Sequence, residues 1–178
     1  MSSSFQKRDF NDAKAMLDEA GLLFVRAWRL KNNKDYSGSV EASQHSGELS
    51  IKCLYKMVGL EHPKSHDPGK DLDKVLDQFK KLRDDEEDIE EDTVFSRLQF
   101  LSNLLERFHN EGFYGYKGTP ASKILKETDA TYIYQCGLEI LGLIGITLLL
   151  FGFKNNFLNS KEKNAVESIA KYFIAPQL

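Results

Sequence analysis

The sequence has few residues that cross-link or interrupt a chain, with 2 cysteines and 4 prolines among 178 residues. Cys53 and Cys136 both lie in apolar, periodic stretches, so we expect buried, reduced thiols in a cytoplasmic protein rather than a disulfide framework. Neither cysteine has a CxxC partner, and we expect no metal and no cofactor. Residues 1–10 also lack the apolar core that a secretory signal needs.

Signals for β-strands are missing as well, since no useful stretch alternates between apolar and polar residues and no Asn-Gly or Asp-Gly turn occurs. Apolar residues instead recur at spacings of three and four, which is typical of amphipathic helices. This pattern predicts helices over residues 9–30, 36–58, 72–82, 94–108, 129–153 and 160–174. Gly59 is expected to end the second helix, and Asp92 or Thr93 to cap the fourth. Residues 59–69 and 109–122 are expected to be loops.

Six helices with short connections predict an all-α, up-down helical bundle with four main helices and one or two short ones. We expect a single domain over residues 1–178, with a core over 9–153 and a C-terminal helix over 160–174. The segment 138–153 is apolar on nearly all faces, but its uninterrupted run after Glu139 is shorter than the roughly 20 residues of a membrane span. It is expected to be the central bundle helix or a helix at a dimer interface, with no membrane association.

Charge is distributed unevenly along the chain, whose net charge is −3. Eight of the nine residues from 84 to 92 are acidic, so the remainder of the chain carries a net positive charge, which is compatible with an anionic ligand. The acidic run itself predicts a solvated loop or a helix end.

A polar stripe is predicted on the second helix, where Glu41, His45, Glu48 and Lys52 are spaced by four, three and four. Glu48 and Lys52 form an i,i+4 pair in the favourable order. One interpretation is a solvated face with an incidental ion pair; the other is a polar seam at a groove or interface. His45, next to apolar residues, is expected to be a packed or interface histidine.

The motifs over residues 36–72 resemble those of the HEPN family of helical domains, and the resemblance continues into the second half of the chain. The matching residues of the first part are Tyr36, Ser43, the run ELSIKCL over 48–54, Gly59, Pro63, His66, Asp67 and Gly69. Those of the second part are Arg107, the run GFYG over 112–115, Pro120, Asp129 and Ala130.

The resemblance implies a bundle that binds nucleotides or RNA, forms a homodimer and is often encoded with a small nucleotidyltransferase partner. Many members are ribonucleases, frequently toxins of toxin–antitoxin pairs, and carry an Arg and a His separated by four to six residues. Here only Phe108 separates Arg107 from His109, and no other Arg and His have the required spacing. We therefore assign no catalytic residue and expect a nucleotide-associated binding member.

The candidate binding residues lie in the second helix, at the end of the fourth helix and in the loops that follow these two helices. Arg107 is a candidate for holding a phosphate, or else a structural clamp near Glu111. Tyr114 and Tyr116 are in a glycine-rich segment and are candidates for stacking on a base, or else for plugging the end of the bundle. Asp67 is expected either to cap the third helix or to orient the ring of His66. The complete candidate set is Arg107, Tyr114, Tyr116, Lys52, Glu48, His66 and Asp67.

Three functions remain open at this point. The leading one is a dimeric module that binds a nucleotide, an RNA or a nucleotidyltransferase through the groove between the second helix and the loop after the fourth. The second is a ribonuclease whose active site is rearranged onto His66, Arg107 and His109. The third is a structural or interaction protein without a nucleotide site.

Overall fold

The computed structural model describes residues 10–83, residues 89–153 and residue 164, and within these ranges the regular structure is helical. The α-helices are α1 (Phe10–Asn32), α2 (Tyr36–Met57), α3 (Leu72–Arg83), α4 (Ile89–Tyr114), α5 (Ala121–Ile124) and α6 (Glu127–Phe153). A 3₁₀ turn, Pro68–Asp71, precedes α3. No strand occurs in the described ranges, where β-pairing is limited to one isolated bridge between Tyr116 and Thr119. The all-α prediction is confirmed.

The four long helices alternate in direction around α2. Helix α1 runs antiparallel to α2, because the Ser46 hydroxyl donates to the Ala20 carbonyl at 2.7 Å while Lys56, further along α2, lies 3.9 Å from Asp12. Helices α4 and α6 both pack on α2 at Gly47, where the missing side chain lets Leu105 and Ile140 approach closely. The predicted up-down bundle is therefore the observed one, with α2 packed against α1, α4 and α6.

The core lies along the inner faces of these four helices and is closed at one end by α3. Its largest fully buried side chains come from α2, α3, α4 and α6: Tyr55, Ile51, Met57, Leu72, Leu98, Leu101, Ile133, Ile140, Ile144, Leu148 and Gln44. The two cysteines are free and buried, as predicted. Burial raises the pKa of the Cys53 thiol to about 12, so it is protonated and inert at neutral pH.

Local sequence explains both ends of α2. The Asp35 carboxylate caps its first turn by accepting from the Gly38 amide at 3.0 Å. At the other end Gly59 has a φ of 76°, and the amide of Leu60 donates to the Tyr55 carbonyl at 2.8 Å. This is the Schellman arrangement, which glycine adopts without a Cβ penalty, and it confirms Gly59 as the stop signal.

Helix α4 is longer at both ends than the sequence predicts. It begins at Ile89, so the prediction that Asp92 or Thr93 caps it is wrong, since both residues are inside the helix. Acidic residues are favourable in a first turn because the amino end of a helix carries partial positive charge. The helix also continues to Tyr114 and ends before Gly115, whose φ is 74°, so the prediction of a loop from residue 109 is wrong for 109–114.

Two predictions lie outside the described residues: residues 84–88 of the acidic run, and the helix over 160–174 apart from residue 164.

Within the described ranges, one helix is long and apolar enough to cross a membrane, judged by length and composition alone. It is α6, over Glu127–Leu148. Half of this apolar stretch is buried inside the bundle. Ile133, Ile140 and Ile144 have no exposed surface, which is typical of the predicted core helix. On the outer side of α6, Leu138 and Ile146 are exposed.

Candidate functional site

The polar stripe of α2 contains a charge pair that is largely withdrawn from solvent. The Lys52 ammonium lies 2.5 Å from Oε1 of Glu48, and the two side chains are only 11% and 10% exposed. An incidental pair on a solvated face would remain mostly exposed, so this interpretation is wrong for Glu48 and Lys52. Because removing two charges from water is costly, the remaining polar atoms of such a pair need further partners.

Glu48 finds its second partner in the loop between α2 and the 3₁₀ turn. Nδ1 of His66 lies 3.2 Å from Oε2 of Glu48, so both carboxylate oxygens are used. The His66 side chain is nevertheless 57% exposed, and its ring therefore extends from a nearly buried carboxylate into solvent.

A second histidine, from the last turns of α4, completes the group. The rings of His66 and His109 are stacked with their centroids 3.8 Å apart and an interplanar angle of 21°. Nε2 of Gln44, on α2, donates to Nδ1 of His109 at 2.8 Å, and in a neutral ring the proton of His109 is then on Nε2. We name Gln44, Glu48, Lys52, His66 and His109 the histidine cluster.

Electrostatics within the histidine cluster favour an ionised Glu48 and a neutral His109. Burial alone raises the pKa of Glu48, but the hydrogen bonds and charges of Lys52 and His66 outweigh it, so the net shift is downward. The pKa of His109 is lowered, first by burial and then by the nearby His66. A stacked pair of imidazoles thus contains one ring that resists protonation.

Asp67, next to His66 in sequence, is buried and has a structural role. Its Oδ1 accepts from the Gly69 amide at 3.1 Å and from the Ser102 hydroxyl at 2.8 Å, which caps the 3₁₀ turn and ties it to α4. The capping alternative is therefore correct, with the cap on the 3₁₀ turn that leads into α3. The alternative in which Asp67 orients His66 is wrong, because Glu48 makes that contact.

A tight turn follows α4 directly. The amide of Tyr116 donates to the Thr119 carbonyl at 3.0 Å, and the amide of Thr119 returns a bond to Tyr116 at 2.9 Å. Between them, Lys117 and Gly118 have φ values of 47° and 78°, as in a type I′ turn. Tyr116 is 54% exposed, so the alternative that this ring plugs the end of the bundle is wrong.

A family model of the HEPN domain matches residues 12–146, well over half of the chain, and these residues include the whole histidine cluster and the turn. The chain belongs to the HEPN domain family. This makes it a nucleotide- or RNA-associated helical module at the level of the family. Searches of curated proteins and of solved structures gave no significant match.

The structure brings only some of the predicted site residues of this HEPN domain together. Glu48, Lys52 and His66 are in the histidine cluster, and Asp67 supports the loop that carries His66. Arg107 is exposed and has no hydrogen-bond or ion-pair partner among the described residues. It is two positions from His109, or about 200° around α4, so it faces away from the cluster. The side chain of Tyr114 lies outside the described structure.

Two members of the cluster were not in the predicted binding set, namely Gln44 and His109. They are 65 residues apart in the sequence, and no local spacing pairs them. Gln44 is only 2% exposed, and its Oε1 has no hydrogen-bond partner in the described part of the chain. Glutamine is seldom fully buried, so Gln44 could have been recognised as a site residue if the buried face of α2 had been known.

His45 is exposed, so the prediction that it is a packed histidine is wrong for the single chain.

The described ranges contain no group of three or more His, Cys, Asp or Glu side chains arranged to hold a metal ion. The histidine cluster is instead a hydrogen-bonded arrangement of an ion pair, an amide and two imidazoles, with donors, an acceptor and a ring face available for an organic ligand.

Proposed function

We propose that this HEPN domain is a nucleotide- or RNA-binding module and that its histidine cluster receives the phosphate-bearing part of the ligand. The observation that carries this proposal is the stacking of His66 on His109, with His66 held by Glu48 and His109 held by Gln44. The two rings come from different segments and are fixed from behind by buried groups, which leaves His66 accessible to solvent.

The chemistry of the cluster suits a phosphate. The Glu48–Lys52 pair is neutral as a unit, and protonation of His66 adds a positive charge next to it. An imidazolium is a hydrogen-bond donor at both nitrogens, so with Nδ1 on Glu48 the second nitrogen remains to donate to a phosphate oxygen. The faces of the two rings also provide aromatic surface of the kind on which bases stack.

We further propose that the module is a cytoplasmic homodimer and the partner of a small nucleotidyltransferase, as the family relationship implies. Exposed apolar side chains support an assembly: Leu138 and Ile146 on α6, and Phe100 on α4, are each about half exposed or more in the single chain, at 52%, 47% and 53%. A toxin–antitoxin arrangement is consistent with such a pair of proteins. Light scattering at micromolar concentration tests the assembly, and a monomer of 20.3 kDa contradicts it.

Calorimetry against AMP, ATP and a short RNA tests the binding proposal. We expect the full chain to bind at least one of them, and His66→Ala to weaken that binding by about tenfold, the loss of one charge-assisted hydrogen bond. His62→Ala is the matched control, because His62 is in the same loop but its ring nitrogen pairs with the Pro63 carbonyl. If millimolar ligand gives no heat, the proposal fails and the structural or interaction function is favoured.

A second candidate is a metal-independent ribonuclease, and one observation favours it. The two stacked rings differ in their hydrogen bonding, since Nδ1 of His66 faces a carboxylate and Nδ1 of His109 accepts from an amide. In neutral rings, Nε2 of His66 then has a lone pair and Nε2 of His109 has a proton. One ring is a proton acceptor and the other a proton donor, as general acid–base catalysis requires. Arg107 faces away from this pair, so the predicted triad of His66, Arg107 and His109 does not assemble on one side of α4.

RNA cleavage assays separate the two candidates. With a binding module, total RNA and transfer RNA remain intact when incubated with the chain in the presence of a chelator. Cleavage that copurifies with the chain and is lost in His66→Ala but retained in His62→Ala overturns the binding-only function.

A further inference from the structure

The turn after α4 presents an aromatic ring and a cation on a backbone that has little freedom. Tyr116 is 54% exposed, and the Lys117 ammonium lies 5.2 Å from the centre of its ring. We infer that this turn is a second contact surface of the module, at which Tyr116 stacks on an unpaired base, so that the ligand is single-stranded RNA rather than a free mononucleotide.

The backbone of the turn is fixed before any partner is bound. Gly115 has a φ of 74°, and a Cβ at this position would lie 2.0 Å from the Thr119 carbonyl oxygen. Together with the two reciprocal hydrogen bonds between Tyr116 and Thr119, this close approach holds the exposed ring on a defined support. An aromatic platform that is already ordered loses little conformational freedom when a base stacks on it.

The segment that begins at this ring is rich in lysine. Lys117, Lys123 and Lys126 are exposed, and none of them has an ion pair with a described residue. Glu127 is the single acidic residue in the sequence from 115 to 128. An exposed tyrosine beside Lys117, with two more exposed lysines in the segment that follows, matches a polyanion that has free base faces. This describes single-stranded RNA better than a duplex, whose bases are stacked on each other.

The turn lies at the same end of α4 as His109. Five residues of helix, or about 8 Å along the axis, separate His109 from Tyr114, the last residue of α4. A short single strand can contact both places at once, with a phosphate at the histidine cluster and a neighbouring base on the ring of Tyr116. The inference that RNA contacts both the turn and the histidine cluster rests on the proposed function, because that function makes the cluster a binding site.

The test uses fluorescence anisotropy with a fluorescein-labelled single-stranded RNA of roughly 10 nucleotides, in parallel with calorimetry against AMP. Tyr116→Ala is expected to weaken RNA binding by about tenfold, the effect of losing one stacked base, and to leave AMP binding at the wild-type level. Tyr116→Phe retains the ring face and is expected to bind RNA as the wild type does. Tyr132→Ala, which removes another half-exposed tyrosine from α6, is the matched control.

The lysines are tested through the salt dependence of the same binding reaction. The triple variant Lys117→Gln/Lys123→Gln/Lys126→Gln is expected to reduce the slope of log K against log salt by about 2, since each phosphate contact with a single strand contributes about 0.7. Circular dichroism of each variant verifies that the helices remain.

The outcomes separate this inference from the function on which it rests. If the wild type binds RNA and Tyr116→Ala binds equally well, or if the loss is the same with Tyr116→Phe, the turn is not a stacking surface while the binding function stands. If the wild type binds AMP as tightly as it binds the RNA, the single-stranded ligand is wrong. If it binds neither, the proposed function fails and this inference fails with it.

Discussion

The rings of His66 and His109 are stacked with their centroids 3.8 Å apart, although the residues are in different segments of the fold. Each ring has its own partner behind it, Glu48 for His66 and Gln44 for His109. The stack therefore joins the loop after α2 to the end of α4 through two imidazoles, of which that of His109 has a lowered pKa.

Acidification is expected to destabilise the fold through His109. Its pKa lies below the ordinary 6.5, because burial and then the charges of His66 and His45 disfavour the imidazolium more than the carboxylates of Glu48 and Glu106 favour it. In the window between the folded value and 6.5 the unfolded chain binds more protons than the folded chain. The free energy of unfolding therefore falls as the pH drops through that window.

Urea denaturation from about pH 7.5 to about pH 5.5 measures this effect. In His109→Gln the free energy of unfolding is expected to fall less over this pH range, because the titrating imidazole is absent. His62→Gln retains His109 and is the matched control. Glu48 does not confuse the result, since its lowered pKa places the loss of its contribution below the ordinary value of 4.5. An NMR titration in which His109 has a midpoint at or above 6.5 would contradict the prediction.

Replacing only one member of the Glu48–Lys52 pair is expected to lower the free energy of unfolding. Lys52→Met leaves a carboxylate that is about 10% exposed without its cation, and we expect a loss of about 3 kcal/mol in the free energy of unfolding. The double variant Glu48→Leu/Lys52→Met removes both charges and is expected to regain most of that loss. Because Glu48 also holds His66, the double variant should remain weak in ligand binding; equal losses in the single and double variants would refute the pairing argument.

Asp67 is expected to contribute to stability through the 3₁₀ turn. Asp67→Ala leaves the buried hydroxyl of Ser102 without its acceptor and removes the cap on the Gly69 amide, for a loss of about 2 kcal/mol. Asp77→Ala, at an exposed position of α3, is the control and is expected to change stability by less than about 0.5 kcal/mol. Similar unfolding midpoints for the two variants would show that the buried carboxylate is not a structural anchor.

Two glycines within helices are expected to respond to alanine in opposite directions. A Cβ at Gly47 would lie 2.5 Å from Cδ1 of Leu105 and 3.1 Å from Cδ1 of Ile140, while a Cβ at Gly142 would meet no atom within 4 Å. Gly142→Ala is therefore expected to stabilise the fold by about 0.5–1 kcal/mol through helix propensity. At Gly47 the overpacking, about 1–3 kcal/mol, exceeds that gain, and thermal unfolding should show a lower midpoint.

Most of the helices were predictable from apolar periodicity, because it is a local property. The predicted ranges 9–30, 36–58 and 129–153 agree with α1, α2 and α6 to within two residues at each end. Helix α4 was predicted too short, because glycine and histidine around residue 110 are weak helix formers on their own. Contacts made in the folded chain, such as that of His109 with Gln44, stabilise this end, and no local rule includes them.

The candidate site was predictable only where it lies within one helix. The Glu48–Lys52 pair follows from i,i+4 spacing, but its low exposure and its contact with His66 in the following loop do not. The stack of His66 on His109 joins residues that are 43 positions apart in the sequence, and a single sequence contains no signal for such a contact. Helix periodicity places Arg107 and His109 on opposite sides of α4, but the contact with Gln44 is needed to show that His109 is on the side of the site.

The central position of α2 affects how the histidine cluster can work. Gln44, Glu48 and Lys52 project from the helix that packs against α1, α4 and α6, so their backbone is held by the same contacts that form the core. These residues cannot shift far without moving the core, so they are already ordered in the folded chain before a ligand binds. A ligand at this place therefore meets a preorganised surface, and its association should show the small heat-capacity change of rigid docking rather than that of coupled folding.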